Sequence, residues 1–206
     1  MSSTGYWFIG TAAPGTVERL RSTLPVADFE PLPADAEHGW WQAMDDCGLL
    51  APVKSGYTYP GPSDAAWRFA ERLESQRPDP DVRDACLHAL EDTPKSEFFH
   101  VGVRKGDPVA AVYYGLGYDD AYRLPGRFGC FLLSPDAVRA GLTRLDHLPE
   151  QPAVGRERFA ERTGAWLAAV SDEPDLDPST LLEGPLKVLR QAGGQGIGAI
   201  AFMQWF

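Results

Sequence analysis

The sequence predicts an α+β fold: a single domain over residues 1–206, with one mixed, mostly antiparallel sheet of about five strands and helices packed on it. Three observations carry this. The 206 residues are 44% apolar and include six Trp, seven Tyr and ten Phe, enough for one domain with a core. Short aromatic and β-branched runs stand at the start, in the middle and at the end of the chain. Between them lie stretches with helical spacing and capping residues.

The opening run Tyr6-Trp7-Phe8-Ile9, bounded by Gly5 and Gly10, reads as a strand. A helix follows from Thr16 and stops before Pro25. A Pro-rich link leads to a second helix over 35–47, which carries His38, Trp40, Trp41 and Met44 and ends at Gly48. Five Pro and Gly residues over 51–62 make that segment a loop, with Tyr57 and Tyr59 inside it. Ser63 and Asp64 start a helix with Trp67, Phe69, Ala70 and Leu73 at helical spacing. Arg77-Pro78-Asp79-Pro80 ends it, and another helix runs over 81–90. Residues 52–94 form a Pro-rich loop and helical insert in the domain.

The middle reads as β. Residues 97–104 and 108–115 form a hairpin around Lys105-Gly106, and 127–133 add a further strand. The stretch 118–126 between them is a loop. Ser134-Pro135-Asp136 is a helix start, with a capping hydroxyl and Pro at the first helical position, and the helix runs to Leu145. Residues 155–170 are helical, interrupted at Gly164. An acidic loop over 172–177 precedes a last helix, which ends at Gly193-Gly194. The uncharged run 197–206 closes the chain as a buried strand.

Composition excludes several classes. No stretch approaches the roughly 20 uncharged apolar residues that cross a bilayer, so no membrane span is expected. The formal net charge of -10 disfavours nucleic acid, whose phosphates need surplus Lys and Arg. The N-terminus has neither the basic nor the apolar region of a signal peptide, which points to the cytoplasm. Cys47, Cys86 and Cys130 are odd in number, far apart and in apolar surroundings; they read as reduced, buried, structural thiols rather than a disulfide or metal framework. No histidine pair has metal-ligand spacing, and neither metal nor cofactor is expected.

The glycine cluster over 193–198 follows a helix and precedes a strand. That is the reverse of a dinucleotide loop, so it reads as a helix cap and turn. Tyr118, Asp119, Asp120 and Arg123 make the most site-like stretch, because paired carboxylates beside hydroxyls and a guanidinium can bind a cation or move a proton. His38, beside two tryptophans, and His100, in a strand, are candidate proton carriers. Charge is concentrated in two segments. Residues 28–52 hold six acids, residues 163–185 hold five, and neither has Lys or Arg; the rest of the chain is close to neutral.

Several stretches resemble the YfbM-like family of uncharacterised small bacterial proteins. They are the opening Gly-Tyr-aromatic strand and helix; Glu37-His38-Gly39-Trp40, similar to that family's Trp-His-Gly-Leu-His helix; Gly115-Leu116-Gly117-Tyr118; and Phe131 through Val138, similar to its Leu-Ser/Thr-Pro-Glu-Glu-Val helix start. The C-terminal helix, glycines and strand follow the same pattern. Trp41 stands where the family's second His would be, and the 52–94 insert has no counterpart. The resemblance implies a small cytosolic α+β domain, lends weight to His38 and implies no reaction.

The reading that unites charge and aromatics is a non-catalytic binding protein of the immunity or inhibitor kind. It would engage a basic protein partner, with Trp40, Trp41, Tyr57 and Tyr59 as anchors and Asp45 and Asp46 for steering. The alternative is a small-molecule enzyme or ligand binder with a pocket near His38, His100, Tyr118, Asp119 and Asp120.

Overall fold

Four strands make one sheet in the order β2-β1-β4-β3: β1 (Thr4–Ala12), β2 (Phe98–Arg104), β3 (Phe131–Leu133) and β4 (Gly198–Trp205). Every pairing is antiparallel. The structure is a computed structural model that describes residues 3–31, 39, 62–145, 153–173 and 175–206. Within these residues seven helices pack around the sheet: α1 (Thr16–Thr23), α2 (Pro62–Glu74), α3 (Pro80–Leu90), α4 (Pro108–Leu116), α5 (Pro135–Leu145), α6 (Ala153–Val170) and α7 (Pro178–Gln195). The class is α+β, but the described sheet has four strands rather than five and is purely antiparallel.

The sheet is covered on both sides. On one face Trp7, Ile9, Val101, Val103, Ala201 and Met203 join the main core with α4, α5 and α7. The helices α6 and α2 pack behind α4. On the other face Ile200, Phe202 and Leu132 meet Val17 and Leu20 of α1 and Cys86 and Leu90 of α3. This explains β4. It lies between β1 and β3 with helices on both sides, so Gly198 to Met203 are all buried and the run carries no charge. The expected insertion of 197–202 into the sheet is therefore observed, Ile197 itself standing just before β4.

Local signals set many boundaries. Ser134 Oγ accepts from the Ala137 N–H at 3.3 Å at the start of α5. Asp177 accepts from the Ser179 N–H at 3.0 Å at the start of α7. The glycine cluster closes α7 as a cap and turn, but the helix runs past the expected end at Gly193-Gly194 to Gln195: Gly196 sits at φ 67°, and the Ile197 N–H reaches the Ala192 carbonyl at 3.0 Å.

Four expectations need correction. The second arm of the hairpin, 108–115, is the helix α4. Asp107 Oδ1 accepts from the Val109 and Ala110 N–H groups, both at 2.9 Å, and Pro108 occupies the first helical position. Pro108 to Gly115 are all buried, so the segment shows no polar face whose period would separate helix from strand. The strand expected over 127–133 begins only at Phe131. Arg127 and Cys130 instead exchange two backbone bonds across a tight turn, with Phe128 at φ 46° and Gly129 at φ 83°. The loop over 118–126 opens with a helical turn, Tyr118–Ala121. Gly164 does not interrupt α6, which starts at Ala153 and continues through it. The helix expected over 35–47 lies outside the described residues except at Gly39, and the loop expected over 51–62 lies outside them up to Pro62, which opens α2 instead.

Candidate functional site

The feature that stands out is a row of aromatic rings on the second face of the sheet, toward the β2 edge. Alternation along β1 and β2 puts Tyr6, Phe8, Phe98 and His100 on this face. Phe8 is the hub. Its ring stacks on Phe202 at 5.0 Å, Tyr6 at 5.8 Å, Phe98 at 6.2 Å and His100 at 6.4 Å. Phe98 and His100 stack at 5.7 Å, and Phe206 meets Tyr6 edge-on at 5.6 Å. Two glycines complete the rows. Tyr6 lies over Gly102, where a Cβ would meet its ring at 2.6 Å, and Phe98 lies against Gly10. Burial of the row fades outward. Phe202 is buried, Tyr6, Phe8 and Phe98 are half-buried, and Phe206 is 60% exposed.

The helix α3 packs on the same face and is acidic toward solvent. Asp81, Asp84, His88 and the following Glu91 and Asp92 are exposed, whereas its arginine, Arg83, is buried. Asp84 accepts from Gln204 Nε2 at 2.9 Å, and Gln204 is the register partner of Tyr6. Asp84 of α3 thus approaches the aromatic row through β4. His88 Nδ1 lies 2.7 Å from Glu91 Oε1.

Beneath α2 and α3 sits a buried ionic cluster. Arg77 and Asp107, both with fully buried side chains, pair at 2.7 Å, and Glu74 bridges Arg77 at 2.9 Å and Arg83 at 2.7 Å. Arg83 also donates to the Met203 carbonyl, and Arg77 Nε to the Phe128 carbonyl at 3.1 Å. Burial works against the charge on Arg77, but the bonded Asp107 carboxylate outweighs it and holds the guanidinium above its ordinary range. Near this cluster Cys86 and Cys130 are free and buried. Burial, reinforced by Cys130, pushes the Cys86 thiol up to about 12. Burial raises Cys130 too, despite the pull of Arg77. Both thiols therefore stay protonated at neutral pH, and the ionic cluster ties α2 and α3 to the sheet and to the turn at Phe128. Cys47 lies outside the described residues.

A small cavity of about 20 Å³ lies between α7 and the Gly129 turn. Its lining is wholly apolar, including Trp7, Phe131, Leu181 and Pro185. Among the described residues no titratable side chain lines it.

Of the expected site residues, the structure describes the side chains of His100, Asp120 and Arg123. His100 is exposed on β2 within the aromatic row. Asp120 pairs with Arg123 at 3.6 Å on the turn after α4. Neither lines the cavity, so the described members of the expected small-molecule pocket are not gathered into it. The side chains of Tyr118 and Asp119, and the whole of His38, Trp40, Trp41, Asp45, Asp46, Tyr57 and Tyr59, lie outside the described residues. Of the two acidic segments, only the later one is largely described. Asp172 pairs with Lys105 at 3.0 Å and Arg104 at 3.5 Å, and Asp177 caps α7. Tyr6, Phe8, Phe98 and Phe206 of this row are not among the residues expected from the sequence. The alternation Tyr6-x-Phe8 and Phe98-x-His100 is the signal for the first three.

Among the described residues no group of three or more His, Cys, Asp or Glu is placed to hold a metal ion. No helix among them is long and apolar enough to cross a membrane. No protein-family model matches the chain, and comparison with curated proteins and with solved structures finds no match.

Proposed function

We propose that the protein is a non-catalytic binding protein of the immunity or inhibitor kind, which works in the cytoplasm and engages a basic protein partner through acidic and aromatic surface. One observation carries the reading: the half-exposed row of Tyr6, Phe8, Phe98, His100 and Phe206 beside the acidic solvent side of α3. Rings held by a rigid sheet lose little conformational entropy on contact, and aromatic side chains dominate binding hot spots. Asp81, Asp84, Glu91 and Asp92 supply a field of one sign that steers a cationic surface. The likeness to YfbM-like proteins belongs to the same proposal and adds no reaction to it.

The test is titration of the full chain with a Lys/Arg-rich peptide that carries aromatic residues, against the same peptide with Glu for Lys and Arg. The basic peptide should bind, and Phe8→Ala should weaken it at least about tenfold, the cost of one hot-spot ring. Replacing Asp84 and Glu91 by Asn and Gln should slow association and flatten its salt dependence. Equal binding of both peptides, or of neither, overturns the reading.

A further inference from the structure

Sheet edges expose unpaired backbone groups, and proteins blunt them with short strands, Pro, Lys or bulges. The edge at β3 is blunt in this sense, being three residues long. The edge at β2 is seven residues long and holds neither Pro nor Lys. Its register with β1 runs unbroken from Thr4↔Arg104 to Gly10↔Phe98, so it holds no bulge.

The ladder tells which backbone groups of β2 point away from β1. Thr4 exchanges both backbone bonds with Phe206 on the β4 side. Even-numbered residues of β1 therefore face β4, and odd-numbered ones face β2. The register then turns Phe99, Val101 and Val103 toward β1, and Phe98, His100 and Gly102 outward. The Arg104 carbonyl is in the same outward phase and accepts from the Asp172 N–H at 3.0 Å.

The side chains say what fits there. On the aromatic face β1 reads Tyr6-x-Phe8-x-Gly10 and β2 reads Phe98-x-His100-x-Gly102: ring, ring, glycine in both. Run antiparallel, the rows set Tyr6 against Gly102, Phe8 against His100 and Gly10 against Phe98. A second β2 in antiparallel register about His100 sets Phe98 of each copy opposite Gly102 of the other and the two His100 residues opposite each other at the centre. Charge at this edge offers a basic partner no acidic surplus. The chain carries -10, which opposes self-association. Around β2, however, Lys95, Arg104 and Lys105 are matched by Glu97, Asp172 and Glu173.

We propose that β2 is a homodimer interface, two copies pairing antiparallel about a two-fold axis at His100 to extend one sheet across both chains. The test is the mass of the isolated full chain by sedimentation across the micromolar range. Wild type should reach twice the mass of the chain. His100→Lys sets two ammonium groups opposite each other and should raise the dimer Kd at least about tenfold. His100→Pro removes an outward N–H that the β1 ladder does not use, and should leave a monomer with the wild-type circular dichroism. If that variant does not fold, His100→Lys decides. A wild type that stays monomeric throughout, or a dimer that His100→Lys leaves unchanged, overturns the proposal. No partner is present in this measurement, so its failure leaves the peptide-binding reading standing, and failed peptide binding leaves the dimer standing.

Discussion

Arg77 and Asp107 are joined by two hydrogen bonds, at 2.7 and 3.2 Å, with both side chains fully buried. Asp107 also caps α4 through Oδ1, and Arg77 also holds the Phe128 carbonyl in the tight turn before β3. One ion pair thus ties the end of α2, the start of α4 and the turn that positions β3.

Breaking this pair from one side strands a buried charge. Asp107→Ala should lower stability by about 3–5 kcal/mol, with the lost cap included. Arg77→Met together with Asp107→Ala should cost less than the sum of the two single changes, because neither charge is then left alone. Urea unfolding of the four proteins in this cycle measures the coupling; additive losses would refute it.

Burial holds the Cys86 proton on to about pH 12, against an ordinary value of 9.0. The unfolded chain loses that proton first. Cys86 therefore subtracts stability as pH rises from about 9 toward 12, while below 9 its contribution is constant. Cys86→Ala should show a shallower alkaline loss of stability than wild type. In the folded protein at pH 8 neither Cys86 nor Cys130 should react rapidly with a thiol reagent, and both should react once urea unfolds the chain.

Glu97 accepts from Thr11 Oγ1 at 2.7 Å and from Gln195 Nε2 at 3.1 Å, tying the end of α7 to the sheet. The Thr11 bond, then the Gln195 bond, hold its carboxyl below the ordinary value of 4.5. Its contribution is present above that ordinary value and is lost as pH falls through the lower folded value. Glu97→Gln should flatten the acid limb of the stability curve and leave the alkaline limb alone, as thermal unfolding across pH will show.

Central placement makes β4 indispensable. Phe202 is fully buried and stacks on Phe8, so Phe202→Ala should cost about 3–5 kcal/mol. Ending the chain after Gly196 removes the strand between β1 and β3 and should leave insoluble or unfolded protein; a folded, soluble truncation would contradict the sheet order.

Sequence by itself determined the elements whose signals are local. A short aromatic run between glycines marked β1, an uncharged run marked β4, and Ser134-Pro135, Asp177-Pro178 and the glycine cluster over 193–198 marked helix ends, because caps and turns act within a turn or two of chain. It also placed His100 in a strand and the described thiols in the core. Only the tertiary structure decided α4, since a segment buried all round has no polar face to reveal its period, although Asp107-Pro108 carried the helix start. Tertiary structure alone also brought Trp7 Nε1 to the Gly129 carbonyl at 2.9 Å, 122 residues away, and Arg77 to Asp107. The candidate site was half legible: the rings of each strand could be read from alternation, but not which strand lay beside which. Strand order and register are set by how both faces of the sheet are covered at once, and no window of sequence contains that information.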